Sequence, residues 1–237
     1  MLKIKLSTQQ NMDYKISEAY KTLRTNVQFS GEDVKVIAVT SCTPNEGKST
    51  TSLNLAISLA EIGKKVMFID ADLRKSVIVN RYKVEGSIKG LSHYLSGQNT
   101  LEEVCYATNV SNLHVIFSGP FVPNPAELLG GKKFAALIPA LRNVYDYVII
   151  DTPPLGRVID SAVIAKCCDG AMMVISSGTI SYKFAQATKS QLEKSNVPIL
   201  GVVMNKVPVT RNSYYGKYYG YGNYGGYGEN AENKAKK

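Results

Sequence analysis

The sequence has no tryptophan, two histidines and four cysteines in 237 residues. The cysteines form no CxxC pair and have no spacing with a histidine that is typical of a zinc site. No apolar run approaches the roughly 18 residues that cross a bilayer, and residues Met1 to Gln10 lack the apolar core of a signal peptide. We therefore expect a cytoplasmic chain with reduced, packed thiols, unless a partner holds it at a membrane.

Positive charge is in excess, since 28 lysines and arginines stand against 19 acidic residues and give a formal charge of +9. The basic residues are nevertheless scattered, and no stacking platform or recognition-helix pattern accompanies them. We expect no nucleic-acid partner. A solvated surface is the simpler interpretation, and a mild attraction to anionic lipid or acidic partners stays open.

Short apolar runs alternate with amphipathic segments, and the 44% hydrophobic content is that of a globular protein. This alternation indicates an α/β fold, with a parallel sheet and helices on both faces. The pattern predicts strands over residues 34–41, 65–70, 113–118, 145–151, 171–177 and 199–205. It predicts helices over residues 13–29, 49–62, 91–96, 101–107, 160–167 and 182–194, and one that opens at PNPAELL, runs toward Val144 and is interrupted at Pro139.

The segment SCTPNEGKST, residues 41–50, follows the first long predicted strand and precedes a helix, which is the context of a phosphate-binding loop. Backbone N–H groups at a helix N-terminus attract phosphate oxygens, and Gly47 lets the chain pass close to them. Lys48 would reach the β- and γ-phosphates, and the hydroxyl of Ser49 could bind Mg²⁺. We therefore predict nucleotide binding by residues Thr43, Pro44, Asn45, Glu46, Gly47, Lys48, Ser49 and Thr50.

Three aspartates stand at the ends of predicted strands. Asp70 ends one strand, Asp72 follows two residues later, and Asp151 ends another. The carboxyl ends of parallel strands form the ligand crevice of an open sheet, where aspartates can hold Mg²⁺ and one could accept a proton. Helix capping or turn formation would explain any one of them alone. Three beside a phosphate loop favour metal and phosphate chemistry.

Together these motifs resemble the BY-kinases, the bacterial tyrosine kinases of capsule and exopolysaccharide synthesis, of the two-chain Gram-positive type. The resemblance runs from about Glu18 to the C-terminus. It rests on a Walker A loop (SCTPNEGKST), a Walker A′ strand (VMFIDADLR), a Walker B strand (YDYVIIDTPP) and the segments PNPAELL, VIDSAVIA and ILGVVMNK. The resemblance implies a P-loop NTPase-like α/β fold, ATP and Mg²⁺ as cofactors, and transfer of phosphate to protein tyrosine.

The resemblance also implies a role for each residue that matches a family motif. Lys48 would bind the β- and γ-phosphates, and Ser49 would ligate Mg²⁺. Asp70 would approach the metal and activate the incoming phenol. Asp72 would assist at the metal, and Asp151 would hold Mg²⁺ directly or through water.

Four other positions bear on the resemblance. Arg74 matches a charged position after the Walker A′ aspartates, and Asn205, at the end of the last strand, would contact the nucleotide base. Cys42 stands where the Walker A pattern has glycine, and the family tolerates other residues there. Asn45 also replaces a usual glycine, and because asparagine accepts left-handed backbone we expect the loop to close.

The predicted N-terminal helix carries Glu18, Lys21 and Arg24 where the family has an ExxRxxR motif for ring-like self-association. A spacing of three keeps these charges on one side of a helix, although lysine cannot form the bidentate contact that arginine makes with a carboxylate. We therefore expect a homo-oligomer, with a solvated helix face as the alternative.

The composition changes near Pro208, which separates a predicted kinase domain, residues 1–207, from a tail, residues 208–237. Glycine, asparagine, lysine and tyrosine cannot bury enough apolar area to offset chain entropy, so we predict a disordered tail. The resemblance makes its tyrosines phosphoacceptors that a neighbouring subunit modifies in trans, and a sticky low-complexity tail is the alternative. These phosphoacceptors are Tyr214, Tyr215, Tyr218, Tyr219, Tyr221, Tyr224 and Tyr227.

Partners also follow from the resemblance. A transmembrane polysaccharide co-polymerase would activate the kinase and hold it at the inner face of the membrane, and a cognate tyrosine phosphatase would reverse the reaction. Two alternatives stay open. A MinD/ParA-like assembly ATPase would carry a second lysine early in the loop, where this chain has Thr43 and Pro44. A scaffold protein without catalytic activity is the second alternative, although the residues expected to act on ATP are all present.

Overall fold

Strands and helices alternate along the residues that the computed structural model describes, which are 2–7, 13–84 and 86–208. The strands are β1 (Leu2–Lys3), β2 (Val36–Ser41), β3 (Val66–Asp70), β4 (Cys105–Ala107), β5 (Leu113–Ile116), β6 (Tyr147–Asp151), β7 (Gly170–Ser176) and β8 (Ile199–Asn205). The helices are α1 (Tyr14–Phe29), α2 (Lys48–Glu61), α3 (Ile78–Arg81), α4 (Leu91–Leu95), α5 (Leu101–Val104), α6 (Pro125–Leu129), α7 (Lys132–Arg142), α8 (Asp160–Ala165) and α9 (Tyr182–Glu193). The seven tail tyrosines lie outside the described residues.

The strands of the described residues form one sheet in the order β1-β4-β5-β3-β6-β2-β7-β8. Neighbouring strands are parallel except for the antiparallel pair β4 and β5. The predicted α/β fold with a parallel sheet is therefore confirmed. Because β3, β6 and β2 are adjacent, Asp70, Asp151 and the loop after Ser41 meet at one edge of the sheet.

The two faces of the sheet bury two separate apolar clusters. In β2, Val36 and Ala38 belong to one cluster, whereas Ile37 and Val39 belong to the other, as the alternation of side chains along a strand requires. Helices α6 to α9 contribute to the first cluster, and α1 and α2 to the second. Helices thus cover both faces, which explains why the central strands are continuous apolar runs.

Two of the predicted helices differ from the sequence prediction, and β1 and α3 were not predicted. The helix expected over residues 101–107 ends at Val104, because Cys105–Ala107 pairs with β5 and β1 as a strand. The helix expected to break at Pro139 instead breaks at Gly130 and Gly131, and α7 continues through Pro139. Pro139 is exposed, so solvent can hydrate the carbonyl group that loses its helical partner.

Two further findings concern the helices and the cysteines. No helix in the described ranges combines the length and the apolar character needed to cross a bilayer. The four cysteines, which all lie in those ranges, are free thiols, and Cys42 and Cys105 are buried.

Candidate active site

The loop between β2 and α2 turns through two residues with left-handed backbone. Asn45 has a φ of 67° and Gly47 a φ of 90°. A Cβ atom on Gly47 would lie 2.0 Å from Nδ2 of Asn205, so a larger residue would have to displace that amide and also adopt left-handed backbone. Asn45 adopts the conformation expected of it, and the loop closes onto the N-terminus of α2. Cys42 lies fully buried beneath the loop in the first apolar cluster.

Lys48 points into the protein rather than into solvent. Its Nζ atom lies 2.8 Å from Oδ1 of Asp151 and 3.1 Å from Oγ of Ser49. Ser52 donates a hydrogen bond to the same Asp151 oxygen, over 3.0 Å. The second oxygen of Asp151, Oδ2, is buried and has no hydrogen-bond partner among the described residues. An unpaired buried oxygen is costly, and a metal ion or its bound water would satisfy it.

Asp70 lies next to Asp151, since the two residues are register partners in β3 and β6. Asp70 is fully buried; its Oδ2 atom accepts a hydrogen bond from the hydroxyl of Ser76, and its Oδ1 atom accepts one from the Asp72 N–H over 3.3 Å. Burial and, next, the nearby Asp151 carboxylate raise the pKa of Asp70 to about 7, against the opposing effects of Ser76 and Lys48. A carboxyl group with this pKa can accept a proton near neutral pH.

Asp72 serves the turn that follows β3. Its Oδ1 atom accepts hydrogen bonds from the backbone N–H groups of Lys75, at 3.0 Å, and Arg74, at 3.3 Å. The turn-forming role that the sequence left as an alternative is therefore present at this aspartate. Its side chain is 8% exposed.

The predicted metal ligands do not form a closed cage. Within the described ranges, no group of three or more His, Cys, Asp and Glu side chains is arranged to hold a metal ion. Mg²⁺ is usually held by one or two carboxylates together with substrate phosphates and water. The hydroxyl of Ser49 and the unpaired oxygen of Asp151 fit that kind of open site.

Arg74 forms a bidentate ion pair with Asp160, the first residue of α8. Its Nε and Nη2 atoms lie 2.7 and 3.0 Å from the two carboxylate oxygens. Asp160 is fully buried, whereas the side chain of Arg74 is 39% exposed. The pair ties the turn after β3 to α8. The sequence pattern does not indicate a role for Asp160 or Ser76, although Asp160 lies in the segment VIDSAVIA.

The remaining predicted nucleotide contacts surround the loop. Asn205, at the end of β8, donates from Nδ2 to the backbone oxygen of Glu46 over 2.9 Å. Thr50 is hydrogen-bonded through its hydroxyl to Arg81 of α3, a residue that the sequence did not indicate. Thr43 is partly exposed and Pro44 is exposed at the start of the loop.

The three charged residues of α1 divide into two groups. Lys21 and Glu18 form an exposed ion pair, with 2.7 Å between Nζ and Oε1. Arg24 instead contacts α2 of its own chain, where it donates to the backbone oxygen of Ser58 over 2.9 Å and to its hydroxyl over 3.1 Å. Glu18 and Lys21 therefore face solvent, whereas Arg24 helps to fasten α1 to α2.

The chain is similar to known proteins over most of its length. A family model described as an AAA domain matches residues 34–190. The tyrosine-protein kinase CpsD of Streptococcus agalactiae is 46% identical over 208 residues, which cover 88% of this chain and 90% of that protein. The chain belongs to the bacterial tyrosine-protein kinases.

Two solved structures have the same fold as this bacterial tyrosine kinase. The crystal structure of the chimerical protein CapA2B2 superimposes with a TM-score of 0.80 at 31% identity, covering 88% of this chain and 95% of that one. The kinase domain of the Escherichia coli tyrosine kinase ETK gives a TM-score of 0.77 at 33% identity and covers 84% of this chain and 79% of that one. The predicted P-loop NTPase-like fold and the family are confirmed, and the names of the relatives favour a kinase over the assembly ATPase.

Proposed function

We propose that this tyrosine kinase uses ATP and Mg²⁺ to phosphorylate its own C-terminal tyrosines in trans, and thereby regulates polymerisation and export of a capsular or exopolysaccharide. The observation that supports this most is the position of Lys48, buried within the loop beside Asp151 and across from Asp70. A cation, a phosphate-binding backbone and two strand-end carboxylates are the parts that phosphoryl transfer requires.

The loop would bind ATP. Its β- and γ-phosphates would lie against the N–H groups at the start of α2 and draw Lys48 away from Asp151. In the transfer, the bond from the γ-phosphorus to the β–γ bridging oxygen breaks, and a bond forms from that phosphorus to the phenol oxygen of a tyrosine. ADP leaves, and Asp70 receives the phenol proton. Because the ordinary pKa of a tyrosine is about 10, Asp70 needs to orient the hydroxyl and take its proton late.

Mg²⁺ would be held by Ser49 and Asp151, with Asp70 and Asp72 close by. When bound, it supplies positive charge that offsets the charge on the transferring phosphoryl group. Ser52 keeps the Asp151 carboxylate in place from the side of α2. Asn205 would approach the nucleotide base from the end of β8.

Partners belong to the proposal as well. A transmembrane polysaccharide co-polymerase would activate the kinase and hold it at the inner face of the cell membrane. A tyrosine phosphatase would remove phosphate from the tail tyrosines. Self-association into a ring would bring a neighbour's tail to the site. The exposed pair of Glu18 and Lys21 is available for that contact, and Arg24 supports it by fastening α1 to α2.

A mixing experiment tests transfer in trans. One chain carries Lys48→Met and keeps all its tail tyrosines, and the other keeps Lys48 but has phenylalanine at the seven tail positions. We expect phosphotyrosine on the first chain only when both are present with Mg-ATP and with the cytoplasmic segment of a candidate co-polymerase. Phosphopeptide mass spectrometry assigns the phosphate to a chain and a position.

Two results would count against the proposal. If wild-type chain with Mg-ATP and the activating segment yields no phosphotyrosine, the transferase activity is absent. If wild type is phosphorylated but the mixed variants are not, transfer occurs within one chain and the trans arrangement is wrong.

A further inference from the structure

Glu46 places a carboxylate inside the loop that is expected to receive the negatively charged phosphates. Glu46 is buried, with 2% of its surface exposed. The Oε2 atom accepts a hydrogen bond from the backbone N–H of Thr43 over 2.7 Å, and Oε1 accepts a longer one, 3.4 Å, from the N–H of Ser176. The backbone oxygen of the same residue accepts the side-chain amide of Asn205.

The Glu46 side chain is not suited to contact phosphate itself. A carboxylate repels phosphate, and this one already accepts the N–H of Thr43. Burying a carboxylate also costs free energy unless hydrogen bonds compensate for it. A role in fixing the loop explains both facts, because the three contacts join the first half of the loop to the ends of β7 and β8.

We infer that Glu46 is a positioning residue for the nucleotide reaction. Its carboxylate ties Thr43 to the end of β7, at Ser176, and its carbonyl group ties the turn before Gly47 to the end of β8. The N–H groups that begin α2 are thereby fixed before the nucleotide arrives. Without Glu46, the nucleotide would have to order the loop on binding, and affinity would fall by that cost.

This inference rests on the proposed function, since the loop must bind ATP for its shape to matter. Different measurements can still distinguish failure of the inference from failure of the proposed function. Loss of Mg-ADP binding in Lys48→Met, with binding in wild type, tests the nucleotide site itself. The hydrogen bond from Thr43 to Glu46 can be measured in the chain without any nucleotide.

The main variant is Glu46→Gln, which keeps the size of the side chain and removes its charge. A glutamine amide offers one oxygen, so its NH₂ group would face the second N–H donor. We expect the dissociation constant for Mg-ADP, measured by calorimetry on the full chain, to rise about 10- to 100-fold, the usual effect of losing a hydrogen bond to a charged group. Glu61→Gln, which removes an exposed carboxylate at the end of α2, is the matched control and should bind as wild type does.

A conservative variant separates positioning from a role in folding alone. Glu46→Asp keeps the charge but is one methylene shorter, so we expect it to recover part of the affinity that Glu46→Gln loses. If Glu46 served stability alone, the variants would unfold at lower temperature while the folded protein bound Mg-ADP with wild-type affinity. That result would overturn the inference.

If Glu46→Gln does not fold, hydrogen exchange of the wild-type chain still tests the inference. The N–H of Thr43 should exchange slowly in the nucleotide-free chain, because it is bonded to a buried carboxylate. Exchange of that N–H at the rate of an exposed loop amide would refute the inference whatever the variants do.

Discussion

Replacing Asp70 with asparagine should stabilise the nucleotide-free protein while it slows phosphorylation. The asparagine has nearly the shape of a protonated aspartate, and its amide can still pair with the hydroxyl of Ser76. It cannot ionise, so it avoids the penalty of a carboxylate buried beside Asp151. The free energy of unfolding and the catalytic rate are therefore expected to change in opposite directions.

The pKa gives the size of the effect. Burial raises the pKa of Asp70 to about 7, from an ordinary value of 3.8. The difference is about 3 pKa units, and at 1.36 kcal/mol per unit it corresponds to about 4 kcal/mol. Because the folded pKa is the higher one, this stability is present at low pH and is lost as pH rises to the folded value. Asp70→Asn should thus match wild type near pH 4 and exceed it by up to about 4 kcal/mol near pH 8.

Urea unfolding at several pH values, without nucleotide or metal, measures this difference. Asp33→Asn, which removes an exposed carboxylate from the loop after α1, corrects for the loss of one negative charge. In a phosphorylation assay Asp70→Asn should be slower than wild type by about 10²- to 10⁴-fold, the usual contribution of a general base. A stability difference that does not grow between about pH 5 and about pH 8 would refute the reasoning.

Three other substitutions test the site. Lys48→Met leaves the buried Asp151 carboxylate with the Ser52 hydroxyl but without its cation, so urea unfolding should show a loss of about 3–5 kcal/mol, and a variant as stable as wild type would contradict the ion pair. Gly47→Ala should weaken Mg-ADP binding in calorimetry, because its Cβ would lie 2.0 Å from the Asn205 amide and the left-handed backbone would cost an alanine about 1–2 kcal/mol. Wild-type affinity in this variant would show that neither effect matters. Arg74→Lys should lower the free energy of unfolding by about 1–3 kcal/mol, because lysine cannot bind the buried Asp160 carboxylate through two atoms. The exposed Arg157→Lys should leave the free energy of unfolding unchanged, and equal stabilities of the two variants would refute the role of Arg74 in the ion pair.

Short-range signals explain what the sequence could predict. The glycine and lysine of the loop follow a β-branched run, and each aspartate ends an apolar run, so Lys48, Asp70 and Asp151 lie where the pattern indicates. Strand order could not be read this way. The contact between Lys48 and Asp151 joins residues 103 positions apart and depends on β6 lying between β3 and β2.

The missed features depend on tertiary contacts. Cys105–Ala107 reads as the end of a helix, but pairing with β5 and β1 makes it a strand. The sequence places Glu46 among the nucleotide-binding residues of the loop, but it could not indicate the contact with Ser176, which lies 130 positions away. Arg24 reads as a surface charge, but the packing of α1 on α2 turns it toward Ser58.

The most direct test of the account follows the γ-phosphate of ATP. Wild-type chain is incubated with labelled Mg-ATP and the co-polymerase segment, then digested and mapped by mass spectrometry, beside Lys48→Met under the same conditions. We predict label on tyrosines between Tyr214 and Tyr227 in wild type and none in the variant. Label released only as inorganic phosphate, with every tail tyrosine unmodified, would show an ATPase and contradict the account.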